Sequence, residues 1–503
     1  MSLLTPEDGT STGGLSPGAL VESPGSSVFD LPTQSSGVAQ LERRPSQLPE
    51  RLLTLQPPAP SRQARSPPKF IVISGGTGGN AICSAFGEAS YVLPVSDDGG
   101  SSSEIIRVLG GPSIGDIRSR LVRLIPSAPP ASPLDAIRGL LAFRLPADEV
   151  VARQQWREIV EGKSALWSGL PNDRKETIRG FLVYFESELL KRAHKNFSFV
   201  NGSIGNYFLA AAQGFFRSLP SAIFLFSSIT NSQASIVPVI VTNHTVTIAA
   251  ELENGEKLVG QCEISHPVPP LHTSGPAVSS SLTSGATDIF SPVDGMGETI
   301  TQRHNVMYDR QSKDEYSPLP ARISRLYYIN AYGHEVHPSP NPDYTSNLAS
   351  HSVLVYSCGS LWTSIIPCLA IRGVAAGIAR SRTLRAKVLL LNAQNDRETD
   401  GYTAVGYINA ISQTLNTPHY QTQSYSLGNA NTTYPISAFV THLVYLRGTA
   451  IHVDVDHITS LGVKCSAVDG IYDDGDDTPK YDAACVRSAI DAILEQGGED
   501  TWI

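Results

Sequence analysis

The sequence has few of the features that mark several common classes of protein. Its 503 residues contain six scattered cysteines and no CxxC pair, so zinc-ligand spacing is absent. A disulfide framework is not expected at this length and cysteine content. No run approaches the roughly 20 apolar residues that span a bilayer. These absences predict reduced, mostly buried thiols and no membrane partner.

Targeting segments and basic clusters are also lacking. The N-terminus has no basic segment followed by an apolar run, so a secretory leader is not expected. Glu7 and Asp8 come early and the first arginine is Arg43, which is not the pattern of an arginine-rich transit peptide. The formal net charge is −9, and no clustered basic face favours nucleic acid as a partner. The sequence therefore predicts a cytoplasmic protein.

Three regions differ in composition. Residues 1–67 are rich in Ser, Pro, Gly and Gln and lack apolar periodicity, which predicts a disordered tail. Residues 68–446 are predicted to form a nucleotide-binding domain, interrupted by a second Ser/Pro-rich stretch at about 265–320 that we expect to be a disordered insertion. Residues 447–503 are predicted to be an extension that packs on this core.

The central region has the pattern of an α/β protein. Apolar runs such as Phe70–Ile73 end in turns and alternate with helical patterns, which predicts a mostly parallel sheet covered on both faces. We expect a Rossmann-like three-layer sandwich. The β-branched runs Ile236–Val241, Val246–Leu252 and Lys257–Ile264 accompany a hairpin turn and predict a small antiparallel insertion.

A glycine-rich turn follows the first strand. It consists of Ser74, Gly75, Gly76, Thr77, Gly78, Gly79 and Asn80. Glycines allow positive φ and close backbone approach, so consecutive N–H groups can bind an anion at the start of a helix. The segment is neither GxGxxG nor a Walker motif. We interpret it as a phosphate-binding loop, and a plain tight turn is the alternative.

Paired carboxylates follow the second strand. Asp97 and Asp98 lie at the carboxyl end of that strand, where ligands bind in open α/β sheets. Both are candidate Mg²⁺ ligands, and one of them is a candidate general base. The alternative is that one caps a helix and tightens the turn. Neighbouring aspartates point in different directions, so we expect one of them to face the ligand.

Two further polar segments precede helices. In the segment Gly115–Arg118, Asp116 fits a helix N-cap and Arg118 suits phosphate oxygens. The segment Asn201–Asn206 offers polar contacts from another helix N-terminus. Ordinary capping and a surface salt bridge are the alternatives.

A second strand–turn–helix unit follows the same logic as the first. Its candidate phosphate-binding residues are Gly359, Ser360, Thr363 and Ser364. Two such turns in one sheet suggest a ligand with two anionic centres, such as a nucleoside diphosphate. The polar stretch Asp396–Tyr402 follows a later strand and is either part of the same rim or a solvated loop.

Seven strings together resemble one family. They are SGGTGGN, PVSDDGGSSSEI, GDIRSRLVRL, NGSIGN, GQCEISHP, CGSLWTSIIP and LLLNAQNDRETDGY, and they lie between about Pro68 and Leu446. The sequence resembles the CofD-like 2-phospho-L-lactate transferases and the bacterial gluconeogenesis-factor proteins. The form SDDGGSSSEI looks most similar to the eukaryotic branch.

The resemblance implies a Rossmann-like domain that binds a nucleoside diphosphate or nucleotide-sugar of the GDP or UDP type. In the transferase branch, a guanosine-diphosphate-activated phospholactate is passed to a deazaflavin alcohol, with Mg²⁺ assisting. By matching motif, Asp97 and Asp98 correspond to the acidic metal-site segment. Likewise Gly75–Gly79, Asn206 and Gly359–Ser364 correspond to phosphate-contacting loops. The gluconeogenesis-factor branch implies UDP-sugar binding and regulation rather than turnover.

We therefore predict a transferase that moves a phosphorylated group to an acceptor hydroxyl. Asp97 and Asp98 would hold Mg²⁺, one of them or Asp116 would take the acceptor proton, and Arg118 would help the two loops to stabilise phosphate charge. The alternative is a non-catalytic UDP-sugar-binding regulator of carbon metabolism or cell-wall synthesis. The sequence demands neither flavin nor NAD, and it is compatible with a homodimer.

Overall fold

Seven parallel strands form the centre of the fold. The computed structural model describes residues 67–75, 78–266, 317–417, 433–472 and 478–496. The predicted disordered tail and the predicted insertion at about 265–320 lie almost wholly outside these ranges. No helix in the described ranges has the length and hydropathy needed to cross a bilayer.

The helices and strands follow one another along three parts of the chain. The first part forms β1 (Phe70–Ile73), β2 (Ala89–Leu93), α1 (Gly100–Leu109), α2 (Gly115–Arg123), α3 (Pro133–Ala142), α4 (Glu149–Val160), α5 (Asn172–Leu190), α6 (Ile204–Phe216), α7 (Leu219–Thr230) and β3 (Ser235–Pro238). The middle part forms β4 (Val246–Leu252), β5 (Lys257–Val259), α8 (Gln261–Ser265), β6 (Ile323–Asn330) and β7 (Glu335–Val336). The last part forms α9 (Pro342–Ser350), β8 (Val353–Tyr356), α10 (Ile366–Leu369), α11 (Val374–Ala379), β9 (Ala386–Leu390), α12 (Ala404–Asn416), β10 (His442–Leu446), α13 (Val455–Ser460), β11 (Lys464–Val468) and α14 (Ala483–Gln496).

The large sheet has the order β11-β10-β9-β8-β1-β2-β3, and each neighbouring pair is parallel. Every residue of β1, β2, β8 and β9 is buried, as expected for strands with helices on both faces. Ile73 is in register with Val92 on one side and Tyr356 on the other. The three central strands therefore end at one level, and the loops that follow them share one edge of the sheet. The predicted α/β fold is confirmed.

The smaller sheet is antiparallel, with the order β5-β4-β6-β7. It confirms the predicted antiparallel insertion, but two boundaries were wrong. Ile236–Val241 was assigned to this insertion, whereas β3 is an edge strand of the parallel sheet. The strand predicted for Lys257–Ile264 ends at Val259, because Gly260 adopts φ +91° and the chain then turns into α8.

Candidate functional site

The sheet has a topological switch point between β1 and β8. From β1 the chain proceeds to β2 and β3 on one side, whereas β8 is followed by β9, β10 and β11 on the other. In open α/β sheets such a point creates a crevice beyond the carboxyl ends of the strands, where ligands bind. Both predicted glycine-containing turns border this crevice, because one follows β1 and the other follows β8.

The two turns touch each other at the switch point. A Cβ atom at Gly75 would lie 2.7 Å from both Cβ and Oγ of Ser364. Glycine is thus required at this position for close approach rather than for an unusual φ. Gly76 and Thr77 lie outside the described residues, and Gly78–Asn80 forms a single 3₁₀ turn.

A buried arginine lies behind the first loop. Arg120 is 0% exposed and donates from Nη2 to Ser74 Oγ (2.6 Å) and from Nη1 to the Gly79 carbonyl (3.1 Å). It also contacts Cys83 Sγ, and its guanidinium lies over the Tyr91 ring at 5.0 Å. The loop is therefore held from behind by a fixed positive charge. The sequence pattern did not reveal the role of Arg120, since its partners are 37 to 46 residues away.

The same helix holds the end of the loop. Asn80 Nδ2 donates to Ser119 Oγ (3.2 Å), and Arg123 Nε donates to the Asn80 carbonyl (2.9 Å). Ser119, Arg120 and Arg123 of α2 thus contact the loop. Arg118, two residues before Arg120, points to the opposite side of the helix, where it meets Asn206.

Asp97, at the carboxyl end of β2, lies beside Asp116 of α2. Asp97 Oδ1 accepts from the Gly99 amide at 3.0 Å. Burial and then the charge of Asp116 raise the pKa of Asp97 to about 8. Asp116 is 6% exposed and is the second residue of α2. The predicted N-cap role of Asp116 was wrong, because Ile114 occupies that position and no side chain caps the helix.

Asp98 points away from this pair. Its Oδ1 accepts from the Cys262 amide at 2.8 Å, which places its carboxylate at the start of α8. A Cβ atom at Gly260 would collide with Asp98 Oδ2, so the carboxylate also packs on that backbone. The structure thus brings Asp97 together with Asp116, and Asp98 binds a distant segment. Among the described residues, no three His, Cys, Asp or Glu side chains are grouped so that they could hold a metal ion.

Arg118 and Asn206 form a buried polar chain beside the aspartates. Arg118 Nε donates to Asn206 Oδ1 (3.0 Å), and Asn206 Nδ2 donates to Ser101 Oγ (2.7 Å). Arg118 is 8% exposed. Burial and then the charge of Arg144 lower the pKa of Arg118 to about 10, which leaves it charged at neutral pH. The predicted residues Arg118 and Asn206 thus lie side by side, with Arg118 buried rather than in a surface salt bridge.

Arg144 is a second cation of this cluster that the sequence pattern did not reveal. It follows α3, and its Nη1 donates to the Asn201 carbonyl at 3.3 Å. Burial lowers its pKa, and the charges of Tyr207 and Asp97 oppose that effect. The local sequence around Arg144 carries no recognisable motif. The end of β2 therefore lies beside two acids and two arginines, of which Asp116 and Arg118 are buried, Asp97 is half-buried and Arg144 is exposed.

The second loop binds an internal carboxylate. Glu398 Oε2 accepts from the amides of Trp362 (3.0 Å) and Thr363 (3.1 Å). Its Oε1 accepts from Thr363 Oγ1 (2.5 Å) and Ser265 Oγ (2.6 Å). Glu398 is 3% exposed, and burial followed by the charge of Asp396 raises its pKa to about 8. The sequence indicated a polar segment near the rim that contains Glu398, but nothing in it singled this residue out.

Two other amides of this loop also donate within the protein. The Gly359 amide donates to Asn392 Oδ1 (2.9 Å), and the Ser364 amide donates to the Ser360 carbonyl (3.1 Å). The amides of Gly359, Thr363 and Ser364, predicted to meet a phosphate, therefore already have acceptors. The sequence pattern predicted a phosphate-binding turn here, and in the structure the amides of Trp362 and Thr363 bind the carboxyl group of Glu398.

Comparison with known proteins points to the same family as the motif resemblance. A profile described as 2-phospho-L-lactate transferase CofD matches residues 70–469. An uncharacterised protein of Saccharomyces cerevisiae, YNL011C, is 35% identical over 428 residues, which cover 79% of this chain and 94% of that protein.

Solved structures show the same fold. A UPF0052 family protein from Bacillus halodurans, BH3568, superposes with a TM-score of 0.53 at 18% identity, covering 84% of this chain and 99% of that one. A second crystal structure of BH3568 gives a TM-score of 0.51 with nearly the same coverage. The profile match covers most of the chain, and the motifs it shares with the family surround one crevice. The chain therefore belongs to the 2-phospho-L-lactate transferase CofD family.

Proposed function

We propose that this protein is a transferase that moves a phosphorylated group from a nucleoside-diphosphate donor to an acceptor hydroxyl. One observation carries the proposal. The half-buried Asp97 and the buried Asp116 lie near the buried Arg118 and the exposed Arg144 beside the glycine loop, at the switch point of the sheet. Acids next to cations at such a point are suited to phosphoryl chemistry, which depends on positioning and charge stabilisation.

The cations and the first loop would bind the diphosphate. The loop residues Ser74–Gly75 and Gly78–Asn80 provide backbone close to the ligand, and Arg120 places positive charge behind them. Arg118 and Arg144 would stabilise negative charge on the transferred group. Because the amides of the second loop hold Glu398, we assign the phosphates to the first loop and the two arginines.

Asp97 is the proposed proton acceptor. A general base works best when its pKa lies near the working pH, and the pKa of Asp97 is raised to about 8. Its carboxylate would accept the proton of the acceptor hydroxyl as the hydroxyl oxygen bonds to the phosphorus of the transferred group. The phosphoanhydride bond of the donor would break in the same step, and a nucleoside monophosphate would leave. Asp116 supplies the neighbouring charge that helps to set this pKa.

Mg²⁺ is the ion that the family implies, and the residues present fit it. Mg²⁺ is commonly held by one or two carboxylates together with substrate phosphates and water. Asp116 would hold it, assisted by Asp97, whereas Asp98 is turned toward Cys262. When bound, the ion would neutralise phosphate charge and relieve the repulsion between the two aspartates.

Calorimetry with turnover assays tests the proposal. We expect GDP or UDP to bind more tightly with Mg²⁺, and Asp116→Asn to abolish that metal dependence. We expect Asp97→Asn to abolish release of GMP from guanosine-diphosphate-activated 2-phospho-L-lactate in the presence of the deazaflavin alcohol acceptor, while leaving GDP affinity without Mg²⁺ within about threefold. Asp173→Asn, at an exposed position of α5, is the charge-matched control.

Two outcomes would contradict the transferase assignment. Tight binding of UDP-N-acetylglucosamine without turnover, unaffected by Asp97→Asn, would identify a nucleotide-sugar sensor that uses the same crevice. Failure of GDP, UDP and UDP-N-acetylglucosamine to bind with or without Mg²⁺ would remove the nucleotide assignment altogether.

A further inference from the structure

The short helix α8 connects the antiparallel sheet to the crevice. It comes directly after β5 and corresponds to the string GQCEISHP, to which the proposed chemistry assigns no role. Two carboxylates from loops at the carboxyl ends of the parallel strands bind α8, one near each end of the helix.

The first attachment is at the start of α8. Asp98 accepts from the Cys262 amide at 2.8 Å, across 164 residues of sequence. The Cys262 Sγ lies 3.5 Å from the position of a Cβ atom at Gly99, so the helix rests on the loop after β2. The chain enters α8 through Gly260, whose φ of +91° permits the sharp turn.

The second attachment is at the end of α8. Ser265 Oγ lies 2.6 Å from Glu398 Oε1 and 3.2 Å from Thr363 Oγ1. Glu398 follows β9, and Thr363 follows β8. This end of the helix is therefore held by the loops on the opposite side of the switch point.

The order of the strands fixes what lies between the two attachments. β2, β1, β8 and β9 are consecutive in the sheet, so the end of β1 lies between the loop that carries Asp98 and the loops that carry Thr363 and Glu398. Strands are about 4.8 Å apart, and the whole distance is about 14 Å. Cys262 and Ser265 are only three residues apart, about 4.5 Å along a helix. The Asp98 and Glu398 side chains therefore reach inward from the two sides and hold α8 over the end of β1, where the glycine loop begins at Ser74.

We infer that α8 is the roof of the nucleotide crevice and that Asp98 and Glu398 are positioning residues that hold it there. The inference rests on the proposed nucleotide site. A nucleotide bound at the first loop would lie beneath α8, and it would enter and leave only when the attachment at Ser265 opens. Glu398 would then control the rates of binding and release without contacting the ligand.

Hydrogen exchange of the ligand-free protein tests the attachment. The amides of Cys262, Ile264 and His266 have acceptors in or beside α8, so mass spectrometry of peptides that cover 257–266 reports its opening. Ser265→Ala removes the attachment from the helix side and keeps the other contacts of Glu398. Glu398→Gln weakens it from the sheet side, because the amide offers one acceptor oxygen in place of two. We expect exchange to become about tenfold faster in both variants.

Glu104→Gln is the matched control for a buried glutamate. Glu104 lies on α1, outside the roof, is 4% exposed and accepts from Arg107 and from the amide of the distant Ser198. We expect it to leave exchange in 257–266 unchanged. Equal exchange in wild type, Ser265→Ala and Glu398→Gln would overturn the inference, as would equal acceleration in Glu104→Gln.

Stopped-flow fluorescence with Mg²⁺ and GDP tests the role of the roof. We expect Ser265→Ala to raise both the association and the dissociation rate about fivefold or more, leaving Kd within about threefold, because both directions pass the same barrier. Unchanged rates despite faster exchange would overturn the roof assignment. If wild type binds no nucleotide, the proposed function and the roof role fail together, while the exchange comparison still decides whether Asp98 and Glu398 hold α8.

Discussion

Gly75 packs directly against Ser364, so the glycine loop after β1 and the turn after β8 meet without room for a side chain. A Cβ atom at Gly75 would lie 2.7 Å from Ser364 Oγ and 3.1 Å from its Cα. The two walls of the crevice thus depend on each other, since any displacement of one turn moves the other.

Substitution of Gly75 by alanine should weaken nucleotide binding. The added methyl must push the two turns apart, and overpacking of this kind costs about 1–3 kcal/mol. We expect a lower free energy of unfolding in urea and at least a tenfold loss of GDP affinity by calorimetry. Gly139→Ala is the control, because a Cβ there meets nothing within 4 Å in α3. Equal behaviour of the two variants would contradict the close approach.

Replacement of Arg120 by methionine should destabilise the protein and the loop. The change removes the buried hydrogen bonds to Ser74 Oγ and the Gly79 carbonyl and leaves those acceptors without their donor. We expect a loss of about 2–4 kcal/mol in urea denaturation, together with weaker GDP binding. Lysine should not restore the wild type, because one ammonium lacks the planar fork that reaches both acceptors.

Arg153→Met is the control for Arg120. Arg153 is more than half exposed on α4, where it forms a long ion pair with Glu149 at 3.9 Å and lies 5.7 Å from the centre of the Phe199 ring. We expect a change within about 0.5 kcal/mol. A similarly small effect at Arg120 would mean that its buried hydrogen bonds contribute little to stability.

Replacement of Arg144 by methionine should affect the ligand more than the fold. Its guanidinium lies within electrostatic reach of Asp97 and Arg118, and its described protein contact is a long hydrogen bond of 3.3 Å. We expect GDP affinity to fall about 10- to 100-fold, consistent with the loss of a charge-assisted phosphate contact. The free energy of unfolding should change by less than about 1 kcal/mol. Arg174→Met on α5 should change neither quantity, and unchanged GDP affinity in Arg144→Met would remove it from the site.

The contribution of Asp97 and Glu398 to the free energy of unfolding should fall as the pH rises from about 4 to 8. Burial raises the pKa of each to about 8 in the folded protein, from ordinary values of 3.8 and 4.5. Between those limits the folded state keeps a proton that the unfolded state has lost, so the free energy of unfolding decreases with pH. Each group contributes a slope of at most about 1.4 kcal/mol per pH unit.

Urea denaturation at several pH values measures this dependence. Asp97→Asn and Glu398→Gln should each flatten the decrease between about pH 5 and 8, because an amide does not titrate. Asp173→Asn should leave the slope unchanged. A steeper decrease in either buried variant would contradict the sign of the pKa shift.

Local sequence patterns predicted the elements that depend on neighbouring residues. The apolar run Phe70–Ile73 became β1, and a helix begins at Gly115, in the segment where the pattern predicted a helix start. The pattern failed at Lys257–Ile264, where alternating residues favoured a continued strand. There Asp98 accepts from the Cys262 amide, and this tertiary contact helps to hold a helical turn that local propensity does not indicate.

The sequence by itself determined the α/β class, the glycine loop after a buried strand and the family to which the chain belongs. Only the tertiary structure decided that Asp97 pairs with Asp116 rather than Asp98, that Arg120 and Arg144 join the site, and that Glu398 occupies the second loop. The physical reason is that a motif records residue types along one segment. The direction of a side chain, and the donor that satisfies a buried carboxylate, depend on segments that folding brings from far along the chain.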